Sequence, residues 1–171
     1  MRIKFQLFKT HILLVLLSLF ANQSYASELS DGFRGMKWGD KPLSEMSKVD
    51  LKANMVIYMK RNEDRVVLGQ NATTIDYWYH RNGLCRVQIN WIAHKNNDMD
   101  MVFVKLGKAW GKPILMENFD RIRSAKWESV SGNTSAFVGS LASVSYPGEW
   151  ITTISIQEKS CSKDAIEGNG L

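Results

Sequence analysis

The stretch from Thr74 to Ile92 constrains the fold more than any other, because it holds two β-rich runs around Arg81-Asn82-Gly83 and one pairing register sorts them well. With Asn82-Gly83 as a two-residue turn, Asp76 shares a face with Cys85, Val87, Ile89 and Trp91. With a three-residue loop that ends in Gly83 at the left-handed position, Ile75, Tyr77 and Tyr79 join that apolar set instead. The second register is the better patterned. It predicts a hairpin whose other face carries Asp76, Trp78, His80, Leu84, Arg86, Gln88 and Asn90, polar except for one tryptophan and one leucine.

Helical spacing occurs twice. Asp40-Lys41-Pro42 offers a cap with proline in the first turn, and Leu43, Met46, Val49 and Leu51 continue at roughly helical intervals, which predicts a short helix over Pro42 to Asp50. Asn97-Asp98-Met99-Asp100 is an acidic helix start, Met99, Val102, Phe103, Leu106 and Trp110 form an amphipathic stripe, and Gly111-Lys112-Pro113 ends it. Met55 to Met59 and Val66 to Leu68 read as a hairpin across Arg61-Asn62-Glu63-Asp64. Further strands are expected at Ala125 to Val130, Thr134 to Leu141, Ser143 to Tyr146 and Trp150 to Gln157, with turns at Ser131-Gly132-Asn133 and Pro147-Gly148. The expected class is α+β: an antiparallel sheet of short strands with two helices packed on one face. Trp38-Gly39 and Trp110-Gly111, each near a helix, suggest a degenerate helix-plus-strands duplication.

The first 26 residues read as an export signal. Arg2, Lys4 and Lys9 form the basic region, Ile12 to Ala21 the apolar one, and Ser24-Tyr25-Ala26 a small-x-small site with cleavage after Ala26. The apolar run is far short of the ~20 residues that span a bilayer. Ser27, not a cysteine, directly follows Ala26, so no lipid attachment is expected. These features predict a soluble product of the periplasm or medium, with a single domain over residues 27–164 and a flexible tail over 165–171. Of 22 Lys and Arg against 17 Asp and Glu, three bases leave with the signal, so 19 face 17. That balance, with cations scattered along the chain, argues against nucleic-acid binding. Cys85 and Cys161 are the two cysteines. In an oxidising compartment a disulfide between them would contribute roughly 4 kcal/mol; two separate thiols are an equal reading.

Phe33-Arg34-Gly35-Met36-Lys37-Trp38-Gly39-Asp40, followed later by Leu106-Gly107-Lys108-Ala109-Trp110-Gly111-Lys112-Pro113 and Trp127, resembles a broad group of small exported bacterial proteins of unknown function that open on F-R-G-x-x-W-G. The order of elements is also similar to the α-β-β modules of outer-membrane assembly small proteins and of secreted β-lactamase-inhibitory proteins. Both resemblances imply a protein that binds other proteins or the envelope, and neither carries over a catalytic residue.

Reactive chemistry finds no pattern to rest on. His80 and His94 flank one hairpin, without His-x-x-x-His or Cys-x-x-Cys spacing for a metal. Cys85 and His80 fall on opposite faces in the preferred register, and no Gly-x-Ser-x-Gly elbow or phosphate loop is present. Asp98 and Asp100 suit the first turn of a helix, and Glu117 and Asp120 read as loop residues. No cofactor is expected. Aromatic residues are the remaining signal, six tryptophans among them. Trp91, Trp110 and Trp150 suit a core, whereas Trp78 falls among charged neighbours. The expected function is therefore a binding module that contacts a protein partner in the envelope or medium through Trp78, Arg86 and His80, with Phe33 and Trp38 adding a second contact. A small-ligand binder or a hydrolase acting on envelope material is the alternative, and a deep pocket at His80, Asp76 or His94 would favour it.

Overall fold

The computed structural model describes residues 30–52, 54–81, 83–93, 96–119, 122–129, 131–143 and 148–161. The export segment, His94, Asp120, most of the strand expected at Ser143 to Tyr146, and the tail lie outside them. Eight strands form one antiparallel sheet: β3 (Met46–Lys52), β4 (Met55–Lys60), β7 (Thr74–His80), β8 (Gly83–Ala93), β9 (Leu115–Phe119), β10 (Ile122–Glu128), β11 (Thr134–Ala142) and β12 (Trp150–Glu158). Their order across the sheet is β3-β4-β7-β8-β12-β11-β10-β9. Two four-stranded meanders thus meet through their last strands, β8 against β12. The small hairpins β1 (Gly32–Phe33) with β2 (Met36–Lys37) and β5 (Val66–Val67) with β6 (Gln70–Asn71) stand outside the sheet. The helix α1 (Asn96–Trp110) links the two meanders.

The protein is therefore mostly β, and the expected α+β class with two packed helices is wrong. The segment expected as a helix over Pro42 to Asp50 becomes β3, an edge strand. Only its Met46 is buried, while Val49 and Leu51 stand more than half exposed. Those residues have no helix face to line: Val49 is β-branched, and pairing with β4 satisfies the backbone that a helix would have satisfied internally. A bulge between Lys48 and Asp50 bends this edge. Val66–Val67 pairs with Gln70–Asn71 rather than with β4, which lies between β3 and β7. Leu115–Phe119, expected as loop, is the other edge strand, so Glu117 sits in the sheet and accepts a hydrogen bond from Ser124.

One face of the sheet holds the core. Ile75, Tyr77, Tyr79, Val87, Ile89, Trp91, Ala125, Trp127, Ala136, Val138, Ile154 and Ile156 are buried there, with Val102 and Leu106 of α1 packed across them. At order-of-magnitude level each large side chain so buried contributes about 2 kcal/mol. Val102, Phe103, Leu106 and Trp110 of the expected stripe pack on the core, and Phe103 meets Trp127 with ring centroids 5.9 Å apart. Gly111, with φ +79°, closes the helix through its N–H to the Gly107 carbonyl, 2.9 Å. The indole N–H of Trp127 then donates to the Gly111 carbonyl at 3.0 Å.

The β7-β8 register follows the apolar pattern with one difference. Ile75 pairs with Ile89 and Tyr77 with Val87, as the patterning requires, but an extra residue enters β8 between the Tyr79–Leu84 and Trp78–Arg86 pairs. That bulge exchanges two side chains: Leu84 turns into the core and Cys85 faces the other way. The cause is the N-terminal segment, which bonds to the bulge. The Gly39 N–H donates to the Leu84 carbonyl at 2.9 Å and the Leu84 N–H to the Asp40 carbonyl at 2.8 Å. Gly83 permits the approach, since a side chain there would begin 3.3 Å from the Gly39 Cα. It is Arg81, not Gly83, that takes the positive φ, +48°.

Candidate binding face

The opposite side of the sheet follows from the same alternation. Residues 86, 88, 90 and 92 of β8 point away from the core, as do 151, 153, 155 and 157 of β12. Three bands cross this open face. The first band centres on Trp78 and Arg86, which are direct cross-strand partners, with the guanidinium carbon 5.4 Å from the indole centroid. Ile57 pairs with Trp78 on the far side, and Gln157 with Arg86 on the near side. His80 lies two residues from Trp78 on the same strand, its Nδ1 3.3 Å from the Asn54 carbonyl.

Cys85 and Cys161 form a disulfide beside this band, with Cα atoms 5.6 Å apart. It ties the short turn after β12 to β8, and Met55, Cys85, Trp78 and Cys161 pack as a small cluster of their own. Burial pulls the Glu158 carboxyl up, but hydrogen bonds donated by the Ser160 hydroxyl at 2.6 Å and by the Cys161 and Ser160 N–H groups outweigh it, hold the carboxyl below its usual range and fix that turn.

The middle band is polar and internally bonded. Asn90 donates to Thr74 at 2.8 Å and to Asp76 at 3.3 Å, and Thr153 donates to Asn90 at 2.8 Å. Burial pushes the Asp76 carboxyl above its ordinary value, against the pull of Lys52, Asn90 and Thr74.

The third band is aliphatic. Ile92 pairs with Ile151, Ile151 with Leu141, and Leu141 with Ile122, so one row crosses four strands. All four side chains are 47–51% exposed. Phe137 stands nearby on β11, its ring 3.2 Å from where a side chain on Gly139 would begin, so it lies over the backbone of its own strand. Single exposed apolar residues are ordinary on a protein surface, whereas a contiguous row of them is a mark of contact surfaces.

Sequence reasoning brought Trp78, Arg86 and His80 together, and the structure places them in one band. Phe33 and Trp38 lie elsewhere, on the core side. Phe33 is buried with its ring centroid 6.1 Å from that of Tyr77, and the Trp38 indole donates to the Ser30 carbonyl at 3.1 Å. Arg34 between them reaches Glu63 at 3.1 Å and the carbonyls of Asp64 and Val66, while the Tyr77 hydroxyl donates to the same Glu63 carboxylate. Burial, with that neighbouring carboxylate, holds the Tyr77 phenol far above its ordinary value. Burial likewise pushes Tyr79 up to about 12. The F-R-G-x-x-W-G segment is thus a clasp between the N-terminal hairpin and the loop after β4.

A cleft of about 190 Å³ beside that clasp is lined by Met59, Lys60, Asn62, Glu63, Arg65 and Ile75, away from His80 and Asp76. Among the described residues no group of three or more His, Cys, Asp or Glu could hold a metal, and no helix is long and apolar enough to cross a membrane. Sequence reasoning missed the aliphatic row. Its signal is present in residues such as Ile151 and Leu141, which sit out of phase with the buried Ile154 and Val138 of their own strands, but it becomes a row only through the register. The chain matches no known family model, no curated protein and no solved structure.

Proposed function

We propose that this protein is an exported module that binds a protein partner through the open face of its sheet. The observation that carries the reading is the aliphatic row Ile92, Ile151, Leu141 and Ile122, half exposed across four strands of a rigid sheet. Rigid strands present such a surface without the ordering cost a loop would incur. Trp78 and Arg86, on the same face beyond the polar band, are residue types that recur at the energetic centres of protein contacts. The export reading rests on residues 1–26 and makes a separate expectation: the secreted or periplasmic product begins at Ser27.

The test is crosslinking and affinity capture from the envelope fraction with wild type, Ile151→Asp and Trp78→Ala in parallel. Ile151→Asp should still melt cooperatively, at a cost of about 1 kcal/mol for an acidic residue on a half-exposed strand position. It should lose the partner that wild type captures. An unchanged set of captured proteins from a folded Ile151→Asp variant would sink the reading.

A further inference from the structure

We infer that Arg86 and Trp78 form a seat for a carboxylate carried by the partner polypeptide, about six residues along the chain from an apolar group that meets the aliphatic row. The inference rests on the binding reading above and specifies the partner's chemistry. It starts from hydrogen-bond bookkeeping. Arg86 Nε and Trp78 Nε1 are both buried, and neither has an acceptor among the described residues. Buried donors are paired in the great majority of native structures, so two orphans side by side call for an explanation. Trp91 and Trp110 also carry an unpaired indole N–H, but singly and on the core side. At Trp78 the second orphan belongs to a cation.

Among the described residues no carboxylate pairs with that cation. Asp76, on the same face, sits opposite Gln88 and accepts from Asn90 instead. Burial alone pulls the Arg86 guanidinium below its ordinary value, with no anion acting against it. A partly exposed guanidinium with no anion beside it favours an incoming anion that accepts from it. One cation stacked on one indole matches a singly charged carboxylate better than a dianionic phosphate, for which several cations usually converge. His80 Nε2 is a third buried atom of this band without a partner, but in the neutral ring it is an acceptor and offers an anion nothing. The ring's Nδ1 faces the Asn54 carbonyl, so Nε2 donates only when the ring is protonated.

The spacing comes from β8 itself. Arg86 and Ile92 share the open face and stand six residues apart, or about 20 Å at roughly 3.3 Å per residue. An extended segment laid along β8 and β12 would place a carboxylate at one end and an apolar side chain at the other, across the polar band of Gln88, Asn90 and Thr153.

The experiment is a ¹H–¹⁵N titration of the full mature chain that follows the Trp78 indole N–H, assigned with Trp78→Phe, and the Arg86 Nε–H. The probes are N-acetylglutamate with its α-carboxyl blocked as the methylamide, so that the side-chain carboxylate is its single charge, inorganic phosphate, and a capped heptapeptide with glutamate first, leucine last and serine or threonine between. N-acetylglutamate should shift both signals saturably, and Arg86→Gln should weaken that binding by about tenfold or more. The heptapeptide should bind about tenfold more tightly than N-acetylglutamate. Ile151→Asp should remove that gain while leaving the N-acetylglutamate shift intact. Absence of a saturable shift, or an equal one in Arg86→Gln, overturns the seat and leaves the aliphatic row to stand or fall on the capture experiment. Phosphate binding as tightly as the carboxylate overturns the ligand class. A heptapeptide no tighter than N-acetylglutamate overturns the polypeptide source in favour of a small carboxylate.

Discussion

The open faces of the two meanders differ although both are four antiparallel strands with core residues beneath them. In the first, Met55 and Ile57 are buried, and the disulfide-tethered turn packs beside them. In the second, Phe137, Leu141 and Ile122 stand about half exposed. Sheet topology alone does not decide whether the outer face of a meander is dry. What differs is the cover: the turn that holds Cys161, pinned by one covalent bond, stands over part of the first meander, and among the described residues no segment stands over the second. The first has accordingly become a second small core with a charged rim, and the second a bare apolar surface.

Removing the pin tests this most strongly. Reducing the disulfide, or Cys85→Ser with Cys161→Ser, should lower stability by about 4 kcal/mol for a loop of 76 residues. It should also raise binding of a hydrophobic dye at the first meander. Calorimetry with and without reductant measures the first effect, and equal melting temperatures would show that packing alone holds the turn. Next in size is a matched pair of truncations. Ile57→Ala should cost about 3 kcal/mol, whereas Ile122→Ala should cost less than about 1 kcal/mol. Similar losses in denaturant melts would erase the distinction between the two faces.

The smallest effect concerns Asp76, on β7 of the first meander, in the polar band. Burial raises its carboxyl in the fold, so its contribution is fully present below the ordinary value of 3.8 and is lost as pH rises through the raised folded value. Asp76→Asn keeps an acceptor for Asn90 and removes the ionisation. The variant should therefore melt higher than wild type at neutral pH, with the difference closing in acid. A variant that is less stable at neutral pH would mean the carboxylate is favoured where it stands.

The core face was largely legible in the sequence because burial imposes a period of two that few residues violate. Ile75, Tyr77, Tyr79, Val87, Ile89 and Trp91 all fall as alternation requires. The α1 stripe was legible for the same reason at its own period. The β3 edge was not: with one side chain buried, it carries almost no alternation, and Leu43, Met46 and Val49 match helical spacing by coincidence. Strand β9 was hidden similarly, an edge with little to bury. At the candidate face, Trp78 and Arg86 could be named because each is unusual among its neighbours. The aliphatic row could not, since its members come from four strands separated by up to 59 positions, and only the pairing between β8 and β12 aligns them.

The bulge in β8 makes the molecule's two surfaces depend on a parity. Counting from the Gly83 turn, one supernumerary residue decides which side chains of the next eight face the core and which face outward. Deleting a single residue at Leu84 or Cys85 would act like a frameshift written in space: Val87, Ile89 and Trp91 would be offered to solvent and Arg86, Gln88 and Asn90 to the core. Length changes in this hairpin should consequently be tolerated in twos and rejected in ones, whatever residues are inserted.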